Sequence, residues 1–126
     1  MGGGQLIRER NLHYSLIFLD EDHFRREEKK LFKEKGQVYK ALKYALEELK
    51  RDPMHCGGVK MPANDSWKYN LPQGYRIMYA VLPKLNATAV LSGPDEHMDY
   101  ERIRRFLKGV MEVADLKELK RFLSLL

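Results

Sequence analysis

The chain has 126 residues, 44% of them hydrophobic and 33% charged, with a formal net charge of +5. This length implies one domain with a core of its own, and no apolar run approaches the length of a membrane-spanning helix. The cationic excess suits an anionic partner (nucleic acid, an acidic protein or a membrane surface) and fits a merely soluble basic protein equally well. The single cysteine, Cys56, excludes an internal disulfide and fits a reducing compartment.

In chain order, residues 1–11 read as a flexible tail. The start, Met1-Gly2-Gly3-Gly4-Gln5, lacks the apolar centre of a signal peptide, so a cytoplasmic protein is expected. Residues 12–19, with Tyr14, Leu16, Ile17, Phe18 and Leu19, read as a strand. Asp20 and Asp22 offer a cap for a helix over 23–35, whose apolar positions Phe24, Leu31 and Phe32 form a thin stripe before Gly36 breaks it. The clearest helix is 37–51, with Val38, Leu42, Ala45, Leu46 and Leu49 on one face and Asp52-Pro53 as its stop. Together the two helices form an αα-hairpin.

Residues 55–65 are turn-rich and hold a short strand at 59–61. A β-hairpin follows over 66–82, then a turn at 83–86 and a strand at 87–92, closed by Gly93-Pro94-Asp95. A helix is expected from about residue 96, carrying Ile103, Phe106, Leu107, Val110 and Met111 at helical spacing. Asp115 and Glu118 then form a capping pair for a last helix with Leu116, Leu119, Phe122, Leu123 and Leu126. The order implies an α+β domain over 12–111, with helices packed on one face of a largely antiparallel sheet. Residues 112–126 supply an additional helix that packs on the domain or on a partner.

The hairpin is the most informative stretch. If Pro72-Gln73-Gly74 is its loop, counting outward sets Leu71 opposite Tyr75, Asn70 opposite Arg76, Tyr69 opposite Ile77, Lys68 opposite Met78 and Trp67 opposite Tyr79. Cross-strand partners share a face. Trp67, Tyr69, Leu71, Tyr75, Ile77 and Tyr79 then fall on one face, and Lys68, Asn70 and Arg76 on the other. A slip of one residue would scramble this sorting.

Trp67-x-x-x-Leu71, Tyr75-Arg76-Ile77-x-Tyr79, the strand after them and His97-x-x-Tyr100 resemble the RelE/ParE superfamily of bacterial and archaeal toxins, as does Leu49-x-x-Asp52-Pro53 ahead of a Gly-rich link. The likeness covers residues 12–108. It implies the family's strand, two-helix hairpin, antiparallel meander and C-terminal helix. RelE-like members cut mRNA in the ribosomal A site. ParE-like members lack the cutting residues and inhibit DNA gyrase. Both are usually held inactive by an antitoxin encoded beside them. The resemblance thus implies a cognate antitoxin, the ribosome and mRNA as partners, with no metal, no cofactor and no membrane. It assigns the scissile-phosphate contact to Arg76, added charge to Lys68, and completion of the site to His97 and Tyr100. Asn70 joins Lys68 and Arg76 on the substrate-binding side. The sequence departs from the pattern in three places. Asn70 stands where many RelE-like members carry a second lysine, Pro94-Asp95-Glu96 where an arginine is common, and the chain runs on past Tyr100 to Leu126.

Metal-free RNA cleavage uses the ribose 2′-OH as nucleophile and needs a base, an acid and a fixed cation to stabilise the phosphorane charge. The guanidinium of Arg76 suits the last role; the plain alternative is a surface arginine paired with a helix carboxylate. Lys68 adds electrostatic support or is a solvated strand lysine. His97 titrates near neutral pH, or lies in a helix first turn capped by Asp95. Tyr100 stacks on a base, shares in proton transfer or packs on the sheet. Arg25, Arg26, Lys29, Lys30, Lys33 and Lys35, mixed with glutamates, read as a solvated helix face, with docking to ribosomal RNA as the functional alternative. His13, His23, His55 and Cys56 do not form a metal-ligand pattern. Three functional readings follow: an mRNA endoribonuclease toxin, a gyrase-binding toxin that cuts nothing, and a non-toxic relative that only binds a partner.

Overall fold

The computed structural model describes residues 13–61, 66–95 and 98–126, so the expected tail at 1–11 lies outside them. The elements are β1 (Ser15–Phe18), α1 (Glu21–Glu34), α2 (Gly36–Arg51), β2 (Val59–Lys60), β3 (Trp67–Asn70), β4 (Arg76–Leu82), β5 (Ala87–Ser92), α3 (Tyr100–Gly109) and α4 (Leu116–Ser124). Local chemistry sets most of their ends. The Asp20 carboxylate accepts a hydrogen bond from His23 N at 3.1 Å and caps α1. Lys35, at φ −142° and ψ 73°, separates α1 from α2, one residue ahead of the break expected at Gly36. At α4 the expected pair operates: Asp115 accepts from Glu118 N at 2.8 Å, and Glu118 reaches back to Ala114 N at 2.9 Å.

The helix expected from about residue 96 begins at Tyr100 instead. Its cap is Asp99, which accepts from Arg102 N at 3.1 Å. Asp95, the cap read from the sequence, is bound to a distant histidine described below.

The five strands form one sheet in the order β1-β5-β4-β3-β2. Its β3–β4 register is the one obtained by counting from the loop: Trp67↔Tyr79, Lys68↔Met78, Tyr69↔Ile77, Asn70↔Arg76. Pro72–Gly74 closes the hairpin as a 3₁₀ turn, with Leu71 N donating to Tyr75 O at 2.8 Å. Gln73 and Gly74 both have positive φ, 61° and 81°, which the glycine adopts without a Cβ penalty. β2, β3, β4 and β5 are antiparallel, whereas β1 joins β5 in parallel, from Ser15↔Ala87 to Phe18↔Val90.

The expectation of helices on one face needs correction: they cover both. Phe24, Leu31, Val38, Leu42 and Leu49 of α1 and α2 pack on Ile77, Tyr79 and Val90. Ile103 and Phe106 of α3, with Val110 and Leu119, pack on Ile17, Ala80, Ala89 and Leu91 from the opposite side. The reason lies in β5. Ala87, Thr88, Ala89, Val90 and Leu91 are all buried, so both faces of that strand need a cover. Leu91 is an extra residue between the partners of Met78 and Tyr79, which are Ser92 and Val90. Residues 112–126 contribute to this second layer: Leu119 is fully buried, and Phe122 lies 5.9 Å from Phe106, ring to ring. Among the described residues no helix is long and apolar enough to cross a membrane.

Candidate functional site

Alternation along β4 places Arg76 on the same face as Met78 and Ala80, the face that α3 and α4 cover further along the strand. Asn70 lies directly opposite Arg76, and Lys68 opposite Met78. Lys68 and Arg76 are therefore diagonal neighbours across two strands, with backbones about 7–8 Å apart. Among the described residues no apolar side chain of β3 belongs to the core beneath α3 and α4, so that core stops short of this corner of the sheet. Arg76 and Lys68 are half-buried and Asn70 is exposed.

Neither cation forms an ion pair or side-chain hydrogen bond among the described residues. Among the described residues no helix carboxylate pairs with Arg76 to make it a structural arginine. Two like charges held on adjacent rigid strands repel each other. An anion between them relieves that repulsion and accepts hydrogen bonds from both, and Arg76 contributes a planar fork of donors.

The start of β4 is fixed by the segment after β5. Arg76 N donates to Pro94 O at 2.9 Å, and Gly93, at φ +122°, passes so close that a Cβ there would lie 2.5 Å from Arg76 O. Only glycine allows that approach. Asp95 is held in turn by His23 of α1, whose Nε2 lies 3.0 and 3.2 Å from its two carboxylate oxygens. The acidic group that stands where the resembled family often has an arginine is thus engaged by a histidine 72 residues away in sequence. Tyr100 opens α3 and is 72% exposed, available to a ligand and absent from the core. His97 lies outside the described residues.

Sequence reasoning missed His23, Asp95 and Arg102 as a group. His23 and Arg102, with Asp20 and Asp99, line a small cleft at the ends of β1 and β5, and Asp95 joins them through its bond to His23. Arg102 approaches Asp20 at 3.8 Å, and its Nε is buried without a partner. No local motif signals this cluster, because its members come from three separate segments. Among the described residues no three His, Cys, Asp or Glu side chains are grouped to hold a metal ion.

The opposite face anchors the hairpin. Tyr69 Oη donates to Glu48 of α2 at 2.9 Å, and Tyr79 Oη donates to Pro53 O at 3.0 Å. Both phenols resist ionisation. Burial raises Tyr69 first and the bond to Glu48 adds to it; burial raises Tyr79 first and contact with Cys56 adds to that. The sign follows from linkage: the unfolded chain loses these protons near pH 10 and the folded chain holds them higher. Their stabilisation is complete below about pH 10 and is lost as the pH rises above it. Tyrosinate absorbance at 295 nm, followed together with circular dichroism, should show two of the seven tyrosines ionising only as the fold is lost. Seven phenols titrating normally in an intact fold would contradict this placement.

Comparison with known proteins returned nothing: no family model, no curated protein and no solved structure matches the chain.

Proposed function

We propose that this protein is a RelE-like endoribonuclease toxin that cuts mRNA on translating ribosomes. The observation that carries the reading is the pair of cations, Lys68 and Arg76, side by side on a rigid sheet and without an ion pair or side-chain hydrogen bond among the described residues. In this reading Arg76 holds the scissile phosphate and stabilises the charge that develops as the 2′-OH attacks. Lys68 adds to the field, and the Asn70 amide supplies a neutral contact to the backbone. His97 and Tyr100 carry the proton transfers, one accepting the 2′-OH proton and the other protonating the departing 5′-oxygen. Cytoplasmic location and control by a cognate antitoxin belong to the same proposal.

A second reading is a ParE-like protein that binds gyrase and cuts nothing. Asn70 favours it, because that position carries no second charge. Purified protein added to programmed ribosomes tests the two together. The expected result is message cut at discrete codons, leaving a 2′,3′-cyclic phosphate or its opened form, with supercoiling by gyrase unchanged. Intact message with supercoiling arrested would replace the first reading by the second. Intact message with active gyrase would leave only partner binding.

A further inference from the structure

Cations scattered along the α1–α2 hairpin gather on its outer side, where they outnumber the acids. Phe24 and Leu31 set the inward direction of α1. At about 100° per residue, Arg26, Lys29 and Lys33 all point the opposite way. All three are exposed and make no ion pair or side-chain hydrogen bond among the described residues. The neighbouring glutamates turn aside: Glu27 is held by Lys30, and Glu28 by Arg25 and Lys43. On α2, Lys40 and Arg51 are likewise exposed and unpartnered, while Lys50 holds Glu47. Between the cations stand two exposed aromatics, Phe32 at 65%, its edge against Tyr39, and Tyr44 at 63%. By the same count Asp22 of α1 and Glu47 of α2, both exposed, point outward among these cations, Glu47 held by Lys50, and Glu34 is exposed at the end of α1.

We propose that the outer surface of this hairpin docks the phosphodiester backbone of double-helical RNA, through Arg26, Lys29 and Lys33 with Lys40 and Arg51. Three features favour that ligand. From Arg26 to Lys33 the helix rises about 10 Å, a length over which one strand of a duplex carries about three phosphates. The cations therefore match the charge density of a nucleic-acid strand. The outward sector is polar apart from the two separated rings, so it lacks the continuous apolar face that would bury in a membrane. Two helices side by side are also about 20 Å wide, too broad to enter the 12 Å major groove of B-DNA, but able to lie across the wide, shallow groove of an A-form duplex.

This surface belongs to the layer on the far side of the sheet from Lys68 and Arg76. The inference goes beyond the cleavage reading and does not require it.

The test is fluorescence anisotropy of the full chain with a labelled, mixed-sequence RNA duplex over a series of KCl concentrations. The triple variant R26Q/K29Q/K33Q is compared with K117Q/K120Q/R121Q, which removes the same net charge from α4. Circular dichroism confirms that each variant is folded. The expected result is at least a tenfold loss of affinity at low salt for the hairpin triple, with the slope of log K against log salt shallower by about 2–3. The α4 triple should retain most of the binding, and the readout involves no cleavage, so failure of the nuclease site leaves this result untouched. Equal losses from the two triples would reduce the effect to net charge and overturn the proposal. So would equal or tighter binding of a DNA duplex of the same sequence, or binding of phosphatidylserine vesicles in place of the duplex.

Discussion

Replacing Arg76 by alanine is expected to lower mRNA cleavage on programmed ribosomes by about 10²–10³-fold, the usual cost of removing one donor that stabilises a developing oxyanion. The same substitution should leave stability nearly unchanged. The Arg76 side chain has no partner among the described residues, so its removal orphans no buried group. The backbone bond from Arg76 N to Pro94 O does not depend on the side chain. Arg76→Lys separates charge from geometry: it keeps the cation and loses the planar fork, and it should recover only part of the activity. Lys68→Ala should cost less, because that lysine lies opposite Met78, two pairs further from the hairpin loop than Arg76. The measurement is the cleavage rate at saturating ribosomes, beside growth on induction of each variant in cells. Full activity in Arg76→Ala, with the protein folded, would remove the guanidinium from the chemistry and with it the endoribonuclease reading.

The part of the site that the sequence made legible is the part built locally. Lys68, Asn70 and Arg76 share a face because a three-residue loop sets the register and side chains alternate with period two. Both facts lie within 17 consecutive residues, counted inclusively from 66 to 82. The α4 cap was legible for the same reason, since Asp115 and Glu118 are three apart. What could not be read depends on contacts between distant segments. β1 pairs with β5 across the whole helical hairpin and the meander, and no residue near Ser15 names that partner. Asp95 and Asp99 are both competent caps, and the choice falls to Asp99 because His23 holds Asp95. The two-sided cover of β5 was visible only as an apolar run, which a strand buried on both faces shares with a short buried helix.

A large effect on stability is expected from Gly58→Ala, at a position that looks like ordinary loop glycine in sequence. A Cβ on Gly58 would lie 1.8 Å from Tyr79 Oη and 2.8 Å from its Cζ. The ring cannot move aside. Tyr79 is fully buried on β4, its ring lies 6.1 Å from that of Trp67 in a stacked pair, and its hydroxyl is bonded to Pro53 O. The loop must therefore retreat, which breaks that bond and loosens the bond from Gly57 N to Glu48. Overpacking costs about 1–3 kcal/mol and an orphaned buried hydroxyl about 1–3 kcal/mol. Against a typical domain stability of about 5–15 kcal/mol, the combined loss should lower Tm by about 10 °C. Gly57→Ala is the control: its Cβ would meet Tyr69 at 3.1 Å, and that half-buried ring can yield. Tyr79→Phe alone should cost about 1 kcal/mol through the lost bond. Because the Phe ring lacks the oxygen that meets the new methyl, Gly58→Ala with Tyr79→Phe should be less destabilised than the sum of the two single changes. Thermal unfolding of the four proteins measures that coupling. Strict additivity would mean that the phenol oxygen does not occupy the space above Gly58, and that Tyr79 is not what holds this loop against the strand carrying Arg76.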